Sequence, residues 1–207
     1  MRRTVRGIVT GIVVFLLSVV LVVGISLFAS MKLVRVSGNS MNPTYSDGDL
    51  LVTTDVDPKS DDVELRKGDA VVLVKPDSWT LNHEDKRPDI VKRIVAVGPS
   101  TVELDGDGRL REGDGVKLID SREDEVDLPE CRTGVSKTID VPRGYVLIRG
   151  DNVNNSYDSR WAWCNGEDPL VPVSLIFKTV EHSVPLGSLI GRLTGSNNKS
   201  DSSGSSK

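Results

Sequence analysis

The sequence is poor in the residues that much enzyme chemistry depends on. Among 207 residues there are two histidines, His83 and His182, and two cysteines, Cys131 and Cys164. They are too few and too scattered for a zinc pattern of the HExxH or paired CxxC kind, so neither metal catalysis nor any other cofactor is expected. A basic face is missing as well. Lys and Arg number 26 against 30 Asp and Glu, and residues 1–35 hold five of the cations (Arg2, Arg3, Arg6, Lys32, Arg35) and no acid. The rest of the chain is therefore more acidic than the net charge of −4 suggests. That balance argues against a nucleic-acid partner, whose phosphates would need clustered cations. No internal repeat is visible, and beyond the N-terminal region no stretch sustains a 3.6-residue apolar period, which excludes a helical bundle.

Long apolar runs are limited to one, from Ile8 to Ala29, broken only by glycines, Thr10, Ser18 and Ser26. At about 1.5 Å per helical residue it matches a hydrocarbon core of about 30 Å. A cleaved secretory leader also begins with basic residues and an apolar stretch. The run is longer than the usual leader, however, and Phe28-Ala29-Ser30-Met31 is a poor small-x-small cleavage site. The sequence therefore predicts a single uncleaved transmembrane anchor over residues 8–31, with residues 1–7 cytoplasmic because three arginines precede it. The remainder lies outside the cell membrane. Val184–Leu193 is too short, and interrupted by Arg192, to span again.

After the anchor the pattern changes to short β-branched segments punctuated by Gly, Asp and Pro. Strands are expected at Leu33–Val36, Leu50–Thr53, Ala70–Lys75, Ile90–Val97, Thr101–Leu104, Tyr145–Arg149 and Leu175–Val180. The expected fold is mainly β. Residues 105–137 are charged and Gly-rich and read as a cap-like excursion between core strands. Residues 195–207 contain no apolar side chain and are expected to be a disordered tail. Cys131 and Cys164 could form a disulfide tying the excursion to the core, or remain two free thiols.

Polar residues concentrate where a strand pattern would not need them. Ser40 lies in a turn between Gly38, which permits close backbone approach, and Pro43, which fixes the local φ. In Asp89-Ile90-Val91-Lys92-Arg93-Ile94-Val95-Ala96-Val97, alternation puts Lys92 on a face with Ile90, Ile94 and Ala96, and Arg93 on the other with Val91, Val95 and Val97. Lys92 has no obvious carboxylate on its face, so desolvation should lower its pKa and leave an amine able to act as a general base. Arg93 cannot lose its proton and needs a carboxylate partner. Asp47-Gly48-Asp49-Leu50 reads as a tight turn into a strand. Gly150 to Arg160 is dense in short hydrogen-bonding side chains, either a solvated loop or a support for a nucleophile and its base. Trp161 and Trp163 suit either the lipid interface or core packing, and His83 reads as a solvated loop residue.

Ser40-Met41-Asn42-Pro43-Thr44, Gly48-Asp49, Lys92-Arg93-Ile94-Val95 and Gly150-Asp151-Asn152 through Asn155-Ser156-Tyr157-Asp158-Ser159-Arg160 follow an apolar anchor in the order found in bacterial type I signal peptidases. The chain resembles that family over about residues 8–180. The resemblance implies an antiparallel β catalytic domain at residues 32–194 and a serine endopeptidase that removes signal peptides from secreted preproteins. It implies Ser40 as nucleophile and Lys92 as general base of a Ser-Lys dyad, with Ser156 orienting the amine. Arg93 would pair with Asp151, and Asp158 with Arg160. The partners implied are secretory preproteins and the lipid bilayer, with the protein a monomer. Two departures stand out: Gly38 replaces a serine that many relatives carry near the oxyanion hole, and Ala96-Val97-Gly98-Pro99-Ser100 replaces the usual G-x-P-G-D turn. A specialised Ser-Lys peptidase for one substrate such as a pilin, or a non-catalytic anchored β-domain that binds secreted proteins, would share part of this pattern.

Overall fold

The computed structural model describes residues 11–23, 32–57, 64–79, 89–113, 119 and 137–194. The chain divides into two units, Met1–Lys32 and Leu33–Lys207. In the first, residues 11–23 are helical. Among the described residues no helix is long and apolar enough to cross a membrane. Both flanks of the expected anchor, His83, Cys131 and the tail from 195 lie outside the described residues.

From Lys32 onward the described residues form ten strands in two sheets. The larger holds β1 (Lys32–Arg35), β2 (Leu50–Asp55), β3 (Ala70–Val74), β4 (Asp89–Val97), β8 (Tyr145–Arg149), β9 (Val171–Pro172) and β10 (Ile176–Val184), in the spatial order β1-β2-β10-β3-β4-β8-β9. The smaller runs β6-β5-β7, formed by Leu110–Glu112, Ser100–Leu104 and Lys137–Val141. The mainly β expectation holds, and all seven expected strands are present within a residue or two at their starts. Strand β10 continues four residues past the expected Val180.

Strand β4 links the two cores. Its early part packs with Val71, Leu73, Ile148, Val171 and Ile176 around the buried ring of Trp79, whose indole N–H donates to the Asp168 carbonyl. Its later part, Val95 and Ala96, packs with Val102, Leu104, Leu110, Ile139 and Val141. Strict alternation would separate Val95 from Ala96. The ladder between β4 and β8 instead shifts register between Ile94 and Ala96, so the two residues join one cluster and Val97 returns to the first. A bulge adds a residue without reversing the strand, which period-two reasoning cannot anticipate.

The expected excursion begins inside the smaller sheet. Leu110 is buried and pairs with Leu104, and Asp105 accepts from Arg111 Nε at 2.9 Å and from the backbone N–H groups of Asp107 and Arg109. A charged turn thus leads directly into β6. Cys164 is disulfide-bonded, and the sequence has one other cysteine, Cys131.

Two helices were not expected. Ser159–Cys164 is capped by Asp158, whose side chain accepts from the Arg160 N–H, and is fastened to β8 through Ser159 Oγ, which accepts from the Ile148 N–H and donates to the Pro169 carbonyl. Leu186–Thr194 is amphipathic, with Leu186, Leu189, Ile190 and Leu193 at helical spacing. Two glycines and its short length hide that period in the sequence. Trp161 stacks on Tyr157 at 3.9 Å between ring centroids, and Trp163 packs against the second core cluster. Packing therefore accounts for both indoles.

Candidate active site

Strand β4 sets Lys92 opposite Val71 of β3, with the side chain inward. Lys92 is only 3% exposed, and its amine donates to Ser156 Oγ at 3.0 Å. Burial pulls the Lys92 pKa from 10.5 to about 8, with the Asp158 carboxylate opposing the shift, Arg160 adding to it and Asp151 again opposing it. The amine is thus neutral in an appreciable fraction of molecules near neutral pH, as a general base must be.

The carboxylates whose charge favours the protonated form of this lysine are engaged by arginines. Arg93 Nε donates to Asp151 Oδ1 at 2.8 Å and Nη2 to Oδ2 at 2.5 Å, while Nη1 donates to the Gly68 carbonyl. Asp151 is buried, and Tyr45 lies beside the pair, hydrogen-bonded to Arg93 with its phenol pKa raised mainly by burial. Asp158 and Arg160 are both fully buried and meet through two side-chain hydrogen bonds. Burial alone would raise the Asp158 pKa, but Arg160, Lys92 and the Gly150 N–H together hold it below the usual carboxylate range. Arg160 also donates to the Val153 carbonyl, closing the loop that carries Ser156.

Ser40 sits half-buried in the turn that follows β1, between Gly38 and Tyr45. Two elements fix this turn. Asn152 donates its backbone N–H to the Ser40 carbonyl and its side-chain amide to the Asn39 carbonyl, both at 3.0 Å. On the other side Asp47 Oδ1 accepts from the Gly38 N–H at 2.9 Å, and Asp49 Oδ2 from the Ser46 N–H at 2.8 Å. Gly38 has φ +90° with open space where a Cβ would stand, so the position requires the left-handed conformation and not the close approach read from the sequence. Gly150 is the opposite case: its Cβ would lie 2.4 Å from the Ser40 carbonyl oxygen and 2.2 Å from Ser156 Oγ. The missing side chain lets the Ser40 turn meet the hydroxyl that holds Lys92. Among the described residues the Lys92 amine bonds Ser156 and not Ser40.

The structure therefore brings together Lys92, Ser156, Asp151, Arg93, Asp158 and Arg160, and abuts the Ser40 turn on them. Sequence reasoning missed Asn152, Asp49 and Tyr45 as supports. Asn152 and Asp49 lay inside quoted motifs, whereas Tyr45 had no signal beyond its nearness to Ser40.

A buried amine bonded to a serine hydroxyl on an antiparallel β scaffold, beside a turn that carries a second serine, is an arrangement compatible with serine hydrolase chemistry. The profile of the family described as "Signal peptidase, peptidase S26" matches residues 9–184. The chain belongs to that family and is a serine peptidase. It is 28% identical over 162 residues to signal peptidase I P of Bacillus subtilis subsp. natto, covering 77% of this chain and 82% of that protein. It is 32% identical over 129 residues to signal peptidase I T of Bacillus subtilis (strain 168), covering 60% of this chain and 61% of that protein. Signal peptidase IB of Staphylococcus aureus (strain COL) is 29% identical over 150 residues, which cover 66% of this chain and 71% of that protein.

Proposed function

We propose that this peptidase is a membrane-anchored endopeptidase that removes N-terminal signal peptides from secreted preproteins through a Ser40–Lys92 dyad. The observation that carries the reading is the buried Lys92 amine, 3.0 Å from Ser156 Oγ, with its pKa brought down to about 8. Neutral Lys92 takes the Ser40 proton as Oγ attacks the scissile carbonyl and forms a tetrahedral oxyanion. Backbone donors of the Ser40 turn hold that oxyanion. The protonated amine then gives its proton to the leaving nitrogen, and the acyl-enzyme on Ser40 is hydrolysed by a water that Lys92 deprotonates. Ser156 orients the amine. The pairs Arg93–Asp151 and Asp158–Arg160 keep both carboxylates occupied, so that neither fixes the proton on Lys92.

The apolar run from Ile8 to Ala29 is read as the anchor, with residues 1–7 cytoplasmic and the β domain outside. The scissile bond of a preprotein follows an apolar segment that itself lies in the bilayer. Ser40 comes about ten residues after the run, so a nucleophile on that turn meets such a bond near the membrane surface. The substrate class is then a preprotein with small residues before the cleaved bond.

The test is cleavage of a model preprotein by detergent-solubilised wild type and by Ser40→Ala, with sequencing of the new N-terminus. Cleavage after the small-residue site by wild type only is expected. Equal processing by Ser40→Ala would overturn the dyad. Cleavage of one preprotein from a diverse panel would favour a specialist peptidase.

A further inference from the structure

The helix Leu186–Thr194 places three of its apolar side chains in solvent, while Leu186 is half-buried. Leu189 is 53% exposed, Ile190 56% and Leu193 81%. Val184, at the end of β10, and Leu33, in β1, are also among the exposed large apolar residues. A monomeric domain normally covers such a stripe or uses it.

The helix is held in place at its start. Gly187 donates its N–H to Asp49 Oδ1 at 3.0 Å, and a Cβ on Gly187 would stand 1.9 Å from the Asp47 carbonyl oxygen. Asp47 and Asp49 are the residues that fasten the Ser40 turn, and just past the end of β1 Val36 donates its N–H to the Asp49 carbonyl while its own carbonyl accepts from the Gly48 N–H. The exposed stripe is thus built onto the corner of the sheet that carries the nucleophile turn and receives the chain from the apolar run. Leu33 follows Ala29, the last residue of that run, by four positions.

Charge points the same way. The domain is acidic, yet no Asp or Glu occurs between Glu181 and Asp201, and the same stretch contains Arg192 and Lys199. Nine helical residues are too few to span a bilayer, which takes about 20, but they suffice to lie in its interface with the apolar side down.

We propose that the Leu186–Thr194 helix is an interfacial membrane-docking element, which seats its Leu189–Ile190–Leu193 stripe in the headgroup region of an anionic bilayer and so fixes the height of the Ser40 turn above the lipid. The proposal rests on reading residues 8–29 as the anchor, and the experiment separates the two. Full-length protein carrying Leu193→Cys, Arg143→Cys or Leu16→Cys is labelled with an environment-sensitive fluorophore and reconstituted into anionic vesicles containing lipids brominated high in the acyl chain. Arg143, exposed in the turn before β8, is the aqueous control, and Leu16 tests the anchor.

The label at position 193 is expected to lose most of its fluorescence to the brominated lipid and to shift to the blue, while the label at 143 does neither. Weaker quenching in zwitterionic vesicles is expected as well. A quenched label at 16 with an unquenched one at 193 overturns the docking proposal alone. No quenching at 16 overturns the anchor reading. A label at 193 that is insensitive to brominated lipid but self-quenches between labelled copies means a second copy covers the stripe, and overturns the proposal.

Discussion

Replacing Lys92 by methionine should make the protein more stable near neutral pH while abolishing activity. The folded state holds the Lys92 proton with a pKa of about 8 against 10.5 for the free side chain, chiefly because the amine is buried. Between those values the unfolded chain binds more protons than the folded one, so the lysine lowers stability as pH falls from 10.5 to 8, and the full penalty is present below 8. Its size is about 3 kcal/mol. Methionine fills nearly the same volume without a charge, and loses the hydrogen bond to Ser156 Oγ, which costs about 1 kcal/mol. The net gain at pH 7 is about 2 kcal/mol; it should vanish at about pH 10 and be reversed by about 1 kcal/mol above pH 10.5. Urea denaturation of full-length wild type and Lys92→Met in mild detergent would measure this, followed by the emission of Trp79, Trp161 and Trp163, which all lie in the β domain. Each pH is compared pairwise, so titrations common to both proteins cancel. A variant less stable than wild type at pH 7, or a stability difference independent of pH between 8 and 10.5, would refute the claim that Lys92 is held against its charged form.

Other perturbations follow from the same geometry. Gly150→Ala puts a methyl group against the Ser40 carbonyl and Ser156 Oγ, so it should cost about 1–3 kcal/mol and lower kcat more than it raises KM, read by steady-state cleavage and urea midpoints. Asp151→Ala leaves the Arg93 guanidinium without its bidentate carboxylate and should destabilise the fold by about 3 kcal/mol, visible as a lower urea midpoint; Asp151→Glu should recover part of the loss. Ser156→Ala removes the acceptor that orients the Lys92 amine and should reduce kcat by about tenfold or more, with the fold intact by circular dichroism.

Much of this site could be read in the sequence because its chemistry is expressed as exceptions to a pattern. A lysine and an arginine inside an apolar strand announced one desolvated base and one ion pair, and the structure supplies burial for Lys92 and Asp151 for Arg93. What could not be read is whatever depends on space or on one added residue. The bulge after Ile94 that sends Val95 and Ala96 into the same cluster leaves no trace in the sequence. Neither does the gap at Gly150, which is defined by atoms that come from two other parts of the chain. Strands β6 and β9 are too short for alternation to register, at three and two residues, and β7 offers only two inward apolar positions, Ile139 and Val141. The C-terminal helix does contain its period, but Gly187 and Gly191 mask it; the first glycine is there to let the backbone close on Asp47.

The central claim is that a lysine amine, not an imidazole or a metal-bound water, removes the nucleophile's proton. The pH dependence of kcat/KM for preprotein cleavage reports the ionisation of the free enzyme's base directly. With Lys92 at about 8, the rate should fall about tenfold for each pH unit below that value and level off above it. A rate that stays flat from about pH 8 down to about pH 5 would contradict the account.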